Sequence, residues 1–320
     1  MPNPRAALIF NPVAGKIRSH PGLIDRLAAR LRASTGPLEI LPTPGPGTAG
    51  GIARQAIASG ARLICVAGGD GTVNEAASGV AGTDAVLAVL PAGTANVLGM
   101  ETGLGGNALR VADRLPALVQ RSVALGRLTA EGRPPRLFLC MAGVGLDARI
   151  VRFVKPGFKR RFGKLSYWQG GFAQVGKRLE QFDIRLDGRL RRASFALLSR
   201  VRNYGGDLEI ARHANLLADD FAVVLFEGPS SLRYLKYFSG VLLHKLDGMS
   251  GVTIGRARTA DIIPLRDELA DLQVDGEHAG FAPARIAVAE VRLSLLLPRR
   301  FVELMEARRA TESAGSPASR

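Results

Sequence analysis

A glycine-rich loop with one carboxylate follows an apolar run in the first quarter of the chain. The apolar run is Leu63–Ala67, and the loop is Gly68-Gly69-Asp70-Gly71-Thr72. The run predicts a buried parallel strand, and the segment Asn74–Val80 after the loop predicts a helix. Glycines let a ligand approach the main chain closely, and the N–H groups at a helix start favour an anion. The pattern therefore indicates a phosphate site at this loop.

Asp70 is the exception in the loop, because a carboxylate repels phosphate. A bridging cation would remove that repulsion, so the loop implies Mg²⁺ beside a nucleotide. In a simpler interpretation, Asp70 is only a helix cap in a glycine-rich turn. A second loop of the same design favours the phosphate interpretation: the apolar run Ala85–Leu90 leads into Pro91-Ala92-Gly93-Thr94-Ala95-Asn96. Two such corners on one parallel sheet would form a crevice at the carboxyl ends of the strands.

These two loops, with the segment Asn11-Pro12-Val13-Ala14-Gly15, resemble the diacylglycerol kinase catalytic-domain family. That family includes bacterial lipid kinases and the sphingosine and ceramide kinases. Its Gly-Gly-Asp-Gly-Thr core is shared with NAD kinases, but the continuation Asn74-Glu75 and the Gly-Thr-Ala-Asn loop favour the lipid branch. The resemblance implies that ATP is bound with Mg²⁺. The nucleotide-binding residues that it implies are Asn11, Thr43, Gly68, Gly69, Asp70, Gly71, Thr72, Val73, Asn74, Glu75, Gly93 and Thr94.

Two later segments resemble further motifs of the same family. The segment Ala142–Ala148 is similar to a glycine-rich turn ending in Asp-Ala, and Asp275-Gly276-Glu277 is similar to the Asp-Gly-Glu motif. Taken alone, the second is a strand running into a β-turn, because Asp-Gly is turn chemistry. The resemblance implies that Asp275 is the general base. It implies that Asp70 either holds Mg²⁺ or orients the acceptor hydroxyl. It implies that Asp147 and Glu277 support the metal or the base.

A structural Mg²⁺ site of some bacterial members has its counterpart between Asn215 and Phe221. The family has an Asp-Gly turn there, whereas Asp220 replaces the glycine in this chain. The resemblance implies metal binding by the carboxylate of Asp219 and by the backbone carbonyls of Leu216 and Phe221. A solvated turn is an equal alternative. The four histidines show no metal-ligand spacing.

Around these motifs, the pattern of elements changes once along the chain. Up to about Leu125, short apolar runs alternate with helical patterns, which predicts an α/β domain with a doubly covered parallel sheet. Strands follow at short intervals afterwards, and the resembling family has a mainly antiparallel β-sandwich as its second domain. The expected domains are 1–125 with 298–310 returning to it, and 126–297. The small polar residues of 311–320 predict a disordered tail.

The net charge of +15 indicates an anionic partner. No zinc-finger spacing or RNP-like aromatic signature favours nucleic acid. No apolar stretch approaches the ~20 residues that span a bilayer, and no signal peptide is evident. We therefore expect a cytoplasmic, peripherally membrane-associated protein that docks on an anionic membrane through 149–164. That segment has seven basic residues, no acidic one and interleaved phenylalanines. Whether the chain forms a homodimer is left open.

The sequence thus predicts an ATP- and Mg²⁺-dependent kinase that phosphorylates a hydroxyl of diacylglycerol or a related membrane lipid. Three alternatives stay open. The acceptor could be a sphingoid base or ceramide, or the chain could be an NAD kinase-like enzyme with a soluble acceptor. A non-enzymatic, nucleotide-regulated binding module is the third, and it would require Asp70, Asp147 and Asp275 to be dispensable.

Overall fold

The computed structural model describes residues 6–153, 178–205, 208–243, 245–265 and 268–315. Its strands are, in chain order, β1 (Ala6–Phe10), β2 (Leu38–Pro42), β3 (Leu63–Gly68), β4 (Val86–Pro91), β5 (Leu118–Ala130), β6 (Arg136–Phe138), β7 (Met141–Gly145), β8 (Phe182–Leu186), β9 (Arg189–Ala193), β10 (Phe195–Ser199), β11 (Asn203–Gly205), β12 (Leu208–Glu209), β13 (Phe221–Phe226), β14 (Val252–Ala257), β15 (Thr259–Pro264), β16 (Asp271–Val274), β17 (Glu277–Phe281) and β18 (Ala284–Pro298).

The helices of the described chain are α1 (Gly15–Ser19), α2 (Leu23–Thr35), α3 (Ala49–Ala58), α4 (Asp70–Val80), α5 (Val97–Glu101), α6 (Ala108–Arg114), α7 (Leu146–Phe153), α8 (Ser231–Leu242) and α9 (Arg299–Gly315). A 3-10 turn covers Leu115–Ala117. The chain divides into two compact units. Unit 1 comprises 1–124, 215–218 and 291–320, and unit 2 comprises 125–214 and 219–290.

Unit 1 is built on a parallel sheet, as the sequence predicts. Its strand order is β2-β1-β3-β4, and the end of β18 pairs in parallel with β4. The run from Ile64 to Ala67 is fully buried in β3, which is the behaviour expected of a continuous apolar strand in a parallel sheet. Because the strands are parallel, the loops after β1, β2, β3 and β4 lie along one edge of the sheet.

Helix α4 begins earlier than its sequence pattern predicts. Apolar and helix-compatible residues indicate a start near Asn74, whereas the helix begins at Asp70, with Gly69 in an extended conformation before it. The first turn therefore consists of the motif residues Asp70, Gly71 and Thr72. At a helix start, the first backbone N–H groups point out of the helix along its axis.

Unit 2 consists mainly of antiparallel β-structure, also as predicted. One sheet has the order β14-β13-β10-β7-β16-β17, and β8 lies between β9 and β15 in the other, where β15 pairs with the start of β18. Side chains from both sheets, including Phe182, Ile184, Phe221, Leu272 and Ile286, form one buried cluster. Two sheets that share a core in this way make a sandwich.

Several strand predictions in unit 2 need correction. The sequence pattern of 191–200 predicts one strand, but the structure interrupts it at Ser194, so that β9 and β10 belong to different sheets. The apolar run Leu137–Met141 also predicts one strand, but the structure has two, β6 and β7, separated by Leu139 and Cys140. The expected glycine-rich turn at 142–145 is the buried strand β7, and the turn follows at Gly145, which has a φ of 72°. The sequence pattern predicts no strand at β11, β15 or β17.

Other expectations fall at the ends of elements or outside the described residues. The sequence also predicts a helix near 164–180, but this segment lies outside the described residues except for 178–180, which are not helical. Most of the basic segment 149–164 lies outside them as well. Helix α9 continues to Gly315, so 311–315, predicted as disordered, are helical. The chain re-enters unit 1 within β18, at Val291. No helix in the described ranges is both long and apolar enough to span a bilayer.

Candidate active site

The loops after β3 and β4 meet backbone to backbone in unit 1. A Cβ atom added to Gly93 would overlap the Cα atom of Gly69, and one added to Gly69 would lie 3.5 Å from the Cα atom of Gly93. No side chain of any size fits at Gly93 while the two loops keep this distance. The predicted phosphate-binding loops are therefore neighbours, and their contact is made of main chain.

Asn96 closes the second loop upon itself. Its side-chain Oδ1 accepts the N–H of Gly93 at 2.8 Å, and its Nδ2 donates to the carbonyl of Gly93 at 2.9 Å. Asn96 has a φ of 48°, a left-handed conformation that asparagine tolerates better than most residues. Thr94, at the tip of the loop, is exposed and available to a ligand.

Asp70 caps a helix, but the helix is not its own. Its Oδ1 atom accepts the backbone N–H of Val97, the first residue of α5, at 2.7 Å. The carboxylate thus joins the predicted phosphate loop to the next one, and its place beside phosphate and Mg²⁺ stays a prediction. The side chain is half-buried.

Glu75 accepts backbone N–H groups of the preceding loop, as Asp70 accepts one from the helix after the following loop. Its Oε1 accepts the N–H of Gly47 at 2.7 Å, and its Oε2 accepts the N–H of Ala49, the first residue of α3, at 3.0 Å. The neighbouring residues Val73 and Asn74 are buried in α4. These three residues, which are predicted to bind nucleotide, therefore support the loops through packing and hydrogen bonds.

Asn11 and Thr43 complete the row of loop residues at this edge. The Nδ2 atom of Asn11 donates to Oγ1 of Thr72 at 3.3 Å, which links the loop after β1 to the glycine-rich loop. Thr43 follows β2 directly, and its N–H donates to the carbonyl of Phe10 at 2.8 Å. The predicted nucleotide-binding residues of unit 1 are thus gathered on the loops that follow β1 to β4 and on the first two turns of α4.

Asp147 is a fully buried carboxylate in unit 2. It lies in the first turn of α7, and its Oδ2 atom occupies the space that a Cβ atom on Gly143 would need. The hydroxyl of Tyr204 donates to Oδ1, and Nε2 of Gln273 donates to Oδ2 at 2.7 Å. Burial raises the pKa of Asp147 to about 6 from its ordinary value of 3.8, and the two donors oppose that shift.

Asp275 is bound by the main chain of the segment between β6 and β7. Its Oδ2 accepts the N–H of Leu139 at 2.9 Å, and its Oδ1 accepts those of Cys140 and Met141 at 3.0 and 2.8 Å. This contact explains why the predicted single strand is divided, since these N–H groups bond to a side chain. The carboxylate is held in one orientation, which suits a positioned acid or base, and its role as general base stays a prediction.

Gln273 links the two acids, and the sequence interpretation gave it no role. While its Nε2 donates to Asp147, its Oε1 accepts the N–H of Gly276, the residue after Asp275, at 2.9 Å. β16 ends at Val274 and Asp275 lies in the turn after it, so the signal that could have indicated Gln273 is its nearness to this motif in the sequence. Tyr204, the other partner of Asp147, has no comparable local signal.

Glu277 has a different environment from the other predicted acids. It is exposed, and its Oε2 atom accepts from the Arg136 guanidinium at 2.8 Å. This is a surface ion pair, which typically contributes little to stability. Its predicted support of the metal or base stays a prediction.

In the turn predicted to hold a structural metal, Asp220 occupies the position of the family's glycine and forms an ion pair. Asp220 accepts from Arg256 through both carboxylate oxygens at 2.7 Å. Phe221 begins β13, and Leu216 is buried in the short segment that belongs to unit 1. No three His, Cys, Asp or Glu side chains gather as a metal site in the ranges that the structure describes. Metal binding by Leu216, Asp219 and Phe221 stays a prediction.

Comparison with known proteins agrees with this arrangement. Residues 5–128 match the family model of the diacylglycerol kinase catalytic domain. The chain is 28% identical over 251 residues to a diacylglycerol kinase of Mycobacterium tuberculosis, covering 76% of this chain and 79% of the relative. It is 23% identical over 310 residues to a diacylglycerol kinase of Bacillus subtilis strain 168, covering 94% and 99%.

Solved structures show the same fold. A crystal structure of a diacylglycerol kinase from Bacillus anthracis str. Sterne aligns with a TM-score of 0.68 at 18% identity, over 94% of this chain and 99% of that chain. Another crystal structure from the same organism aligns with a TM-score of 0.77 at 21% identity, over 93% and 96%. The family model thus identifies residues 5–128, which hold the loops described above, as a diacylglycerol kinase catalytic domain, and the chain is a kinase.

Proposed function

We propose that this kinase transfers the γ-phosphoryl group of ATP to a hydroxyl of a membrane lipid, with diacylglycerol as the acceptor. The contact of Gly69 with Gly93 carries the proposal, because it brings two backbone loops and the start of α4 together at one edge of a parallel sheet. Helix starts and glycine loops bind phosphate through main-chain N–H groups. The lipid acceptor is supported by the names of the relatives from M. tuberculosis and B. subtilis.

On the nucleotide side, the proposal assigns phosphate contacts to the first turn of α4 and to Thr94. Phosphoryl transfer depends mainly on positioning and on neutralising charge, so loops and a metal ion suffice there. Mg²⁺ is usually held by one or two carboxylates together with the phosphates of the substrate. The half-buried carboxylate of Asp70 in the loop fits that donor set. When bound, Mg²⁺ would neutralise the charge of the phosphates.

On the acceptor side, the proposal assigns the proton of the lipid hydroxyl to Asp275. Three main-chain N–H groups hold this carboxylate in place, which a general base needs if it is to meet a hydroxyl at hydrogen-bond distance. Asp147 stands behind it, joined to the same turn through Gln273. Asp147 is fully buried, so it acts on Asp275 in this proposal and does not itself contact the lipid.

Incubation with labelled ATP tests this proposal against its alternatives. The panel of acceptors is diacylglycerol, a sphingoid base, ceramide, NAD and no acceptor. The proposal predicts label in the phosphorylated diacylglycerol. Label in the sphingoid base or ceramide would move the acceptor within the lipid class, and label only in NAD would replace the proposal by an NAD kinase-like function. ATP binding without transfer to any acceptor would favour a nucleotide-regulated binding module.

Peripheral docking on an anionic membrane is part of the proposal and comes from the sequence. A basic residue near an anionic leaflet contributes about 1 kcal/mol to binding. Replacing Lys155, Lys159, Arg160 and Arg161 by Gln should therefore reduce binding to anionic vesicles strongly while leaving turnover of a short-chain, water-soluble lipid unchanged. Unchanged vesicle binding would mean that this segment is a solvated loop and does not dock on the membrane.

A further inference from the structure

Gln273 makes two hydrogen bonds with a single buried side-chain amide. Its Nε2 donates to Oδ2 of Asp147 at 2.7 Å, and its Oε1 accepts the N–H of Gly276 at 2.9 Å. Only 2% of the residue is exposed, so water does not compete for either bond. One amide thus joins the buried carboxylate to the turn that carries Asp275.

The chemistry of the two partners fixes the orientation of this amide. The N–H of Gly276 can only donate, so it must face the oxygen of the amide. The ionised carboxylate of Asp147 can only accept, so it must face the nitrogen. Gly143 leaves room for the carboxylate on the strand beside it, because a Cβ atom there would collide with Oδ2 of Asp147 and lie 2.7 Å from Nε2 of Gln273.

We propose that Gln273 is a positioning residue that holds the Asp275–Gly276 turn in register with Asp147. The inference rests on the proposed kinase function, in which Asp275 receives the proton of the acceptor hydroxyl. The three N–H groups of the 139–141 segment hold the carboxylate of Asp275, and Gln273 holds the main chain on the other side of the same residue. Loss of the amide frees the turn but leaves the nucleotide loops of unit 1 untouched.

Two substitutions separate this role from a general packing role. Gln273→Met has similar length but can make neither bond. Gln273→Glu keeps an acceptor for the Gly276 N–H and places a carboxyl group against Asp147. While that pair shares one proton, the protonated group donates as the amide does; when the proton is lost, two adjacent carboxylates repel each other. The conservative variant should therefore work at acidic pH and fail as the pH rises.

The experiment measures turnover and the nucleotide KM across pH for both variants. Gln273→Met should lower turnover about tenfold to 100-fold, the cost of a displaced catalytic group, with the nucleotide KM within about twofold of wild type. Turnover of Gln273→Glu relative to wild type should be near unity at the acidic end of the range and should fall about tenfold towards the alkaline end. Gln55→Met and Gln55→Glu, on the exposed face of α3, are the matched controls and should behave as wild type.

Thermal melts establish whether each variant is folded. If Gln273→Met is unfolded, Gln273→Glu still tests the inference, because it keeps the size of the wild-type side chain. A pH-independent ratio for Gln273→Glu would overturn the inference, and so would turnover of Gln273→Met within about twofold of wild type. A parallel rise of the nucleotide KM would overturn it as well, because that would be a general structural defect. Absence of transfer by the wild type is a separate result, which overturns the proposed function itself and with it the role of Gln273.

Discussion

The Asp70 carboxylate accepts the N–H of Val97 at 2.7 Å and so joins the loop after β3 to the helix that follows β4. Glu75, five residues further along the same motif, accepts the N–H groups of Gly47 and Ala49 in the preceding loop. A side-chain acceptor at a helix start typically contributes about 0.5–2 kcal/mol. The acidic residues of one short motif therefore hold the loops on both sides of it.

The first prediction concerns Asp70→Asn. The asparagine keeps an Oδ1 acceptor for Val97, so the loops should stay in place, while the charge that would hold Mg²⁺ is lost. We expect turnover to fall about 10²–10⁴-fold, the usual cost of losing one catalytic contact, with an unchanged melting temperature. Asp84→Asn, at an exposed site in the same unit, is the control. Turnover of Asp70→Asn within about fivefold of wild type would show that Asp70 has no catalytic role.

Gly93→Ala tests the contact between the two loops. The added methyl group would overlap the Cα atom of Gly69, so the loops must separate. Overpacking of this kind costs roughly 1–3 kcal/mol, and we expect ATP affinity to fall by about tenfold or more. Gly51→Ala is the matched control, because nothing lies within 4 Å of its added Cβ atom. Equal ATP affinity of both variants, measured by calorimetry, would show that the loop contact does not form the phosphate site.

Asp275 and Glu277 stand two residues apart and should respond differently to the same change. Asp275→Asn puts an amide nitrogen among main-chain N–H groups, which leaves a donor without an acceptor and costs about 1–3 kcal/mol. Glu277→Gln loses only an exposed pair with Arg136, which is worth at most about 1 kcal/mol. Urea unfolding measures both free energies. Turnover of Asp275→Asn should fall far more than its nucleotide affinity; a parallel fall would make Asp275 a structural or metal-binding residue.

Asp147 should make the stability of unit 2 depend on pH. Its pKa is raised in the folded state to about 6, so the protonated form is favoured by folding. The corresponding stability is fully present below the unfolded pKa near 3.8 and is lost as the pH rises through 6, by a free energy on the order of 3 kcal/mol. We expect Asp147→Asn to remove this slope in urea unfolding between about pH 4 and 7. Parallel curves for wild type and Asp147→Asn would contradict the assignment.

The parallel strands of unit 1 and the edge that carries the loops are predictable because their signals are local. A continuous apolar run followed by glycines, as at Leu63–Thr72, predicts both the strand and the turn after it. The start of α4 at Asp70 is less predictable, since its first turn is built from glycine and polar residues. The capping partners of Asp70 and Glu75 are not predictable at all, because they lie more than 25 residues away in the chain.

The acid cluster of unit 2 shows the same division. Asp147 and Asp275 were indicated by motifs, but the division of the strand at Leu139–Cys140 depends on Asp275, which is more than 130 residues distant. Tyr204 reaches Asp147 from a separate strand pair, and nothing beside it in the sequence marks it. Gln273 lies only two residues before Asp275, and this nearness in the sequence is the local signal that could have indicated it.

The central claim is that the chain moves a phosphoryl group from ATP to a lipid hydroxyl. Its most direct test is mass spectrometry of the lipid after incubation of diacylglycerol vesicles with ATP labelled with ¹⁸O in its γ-phosphoryl group. We expect a phosphorylated diacylglycerol that carries the label with wild-type protein, and about 10²–10⁴-fold less of it, at equal times, with Asp70→Asn. Unlabelled lipid after complete consumption of the ATP, or label found only in a soluble acceptor such as NAD, would contradict it.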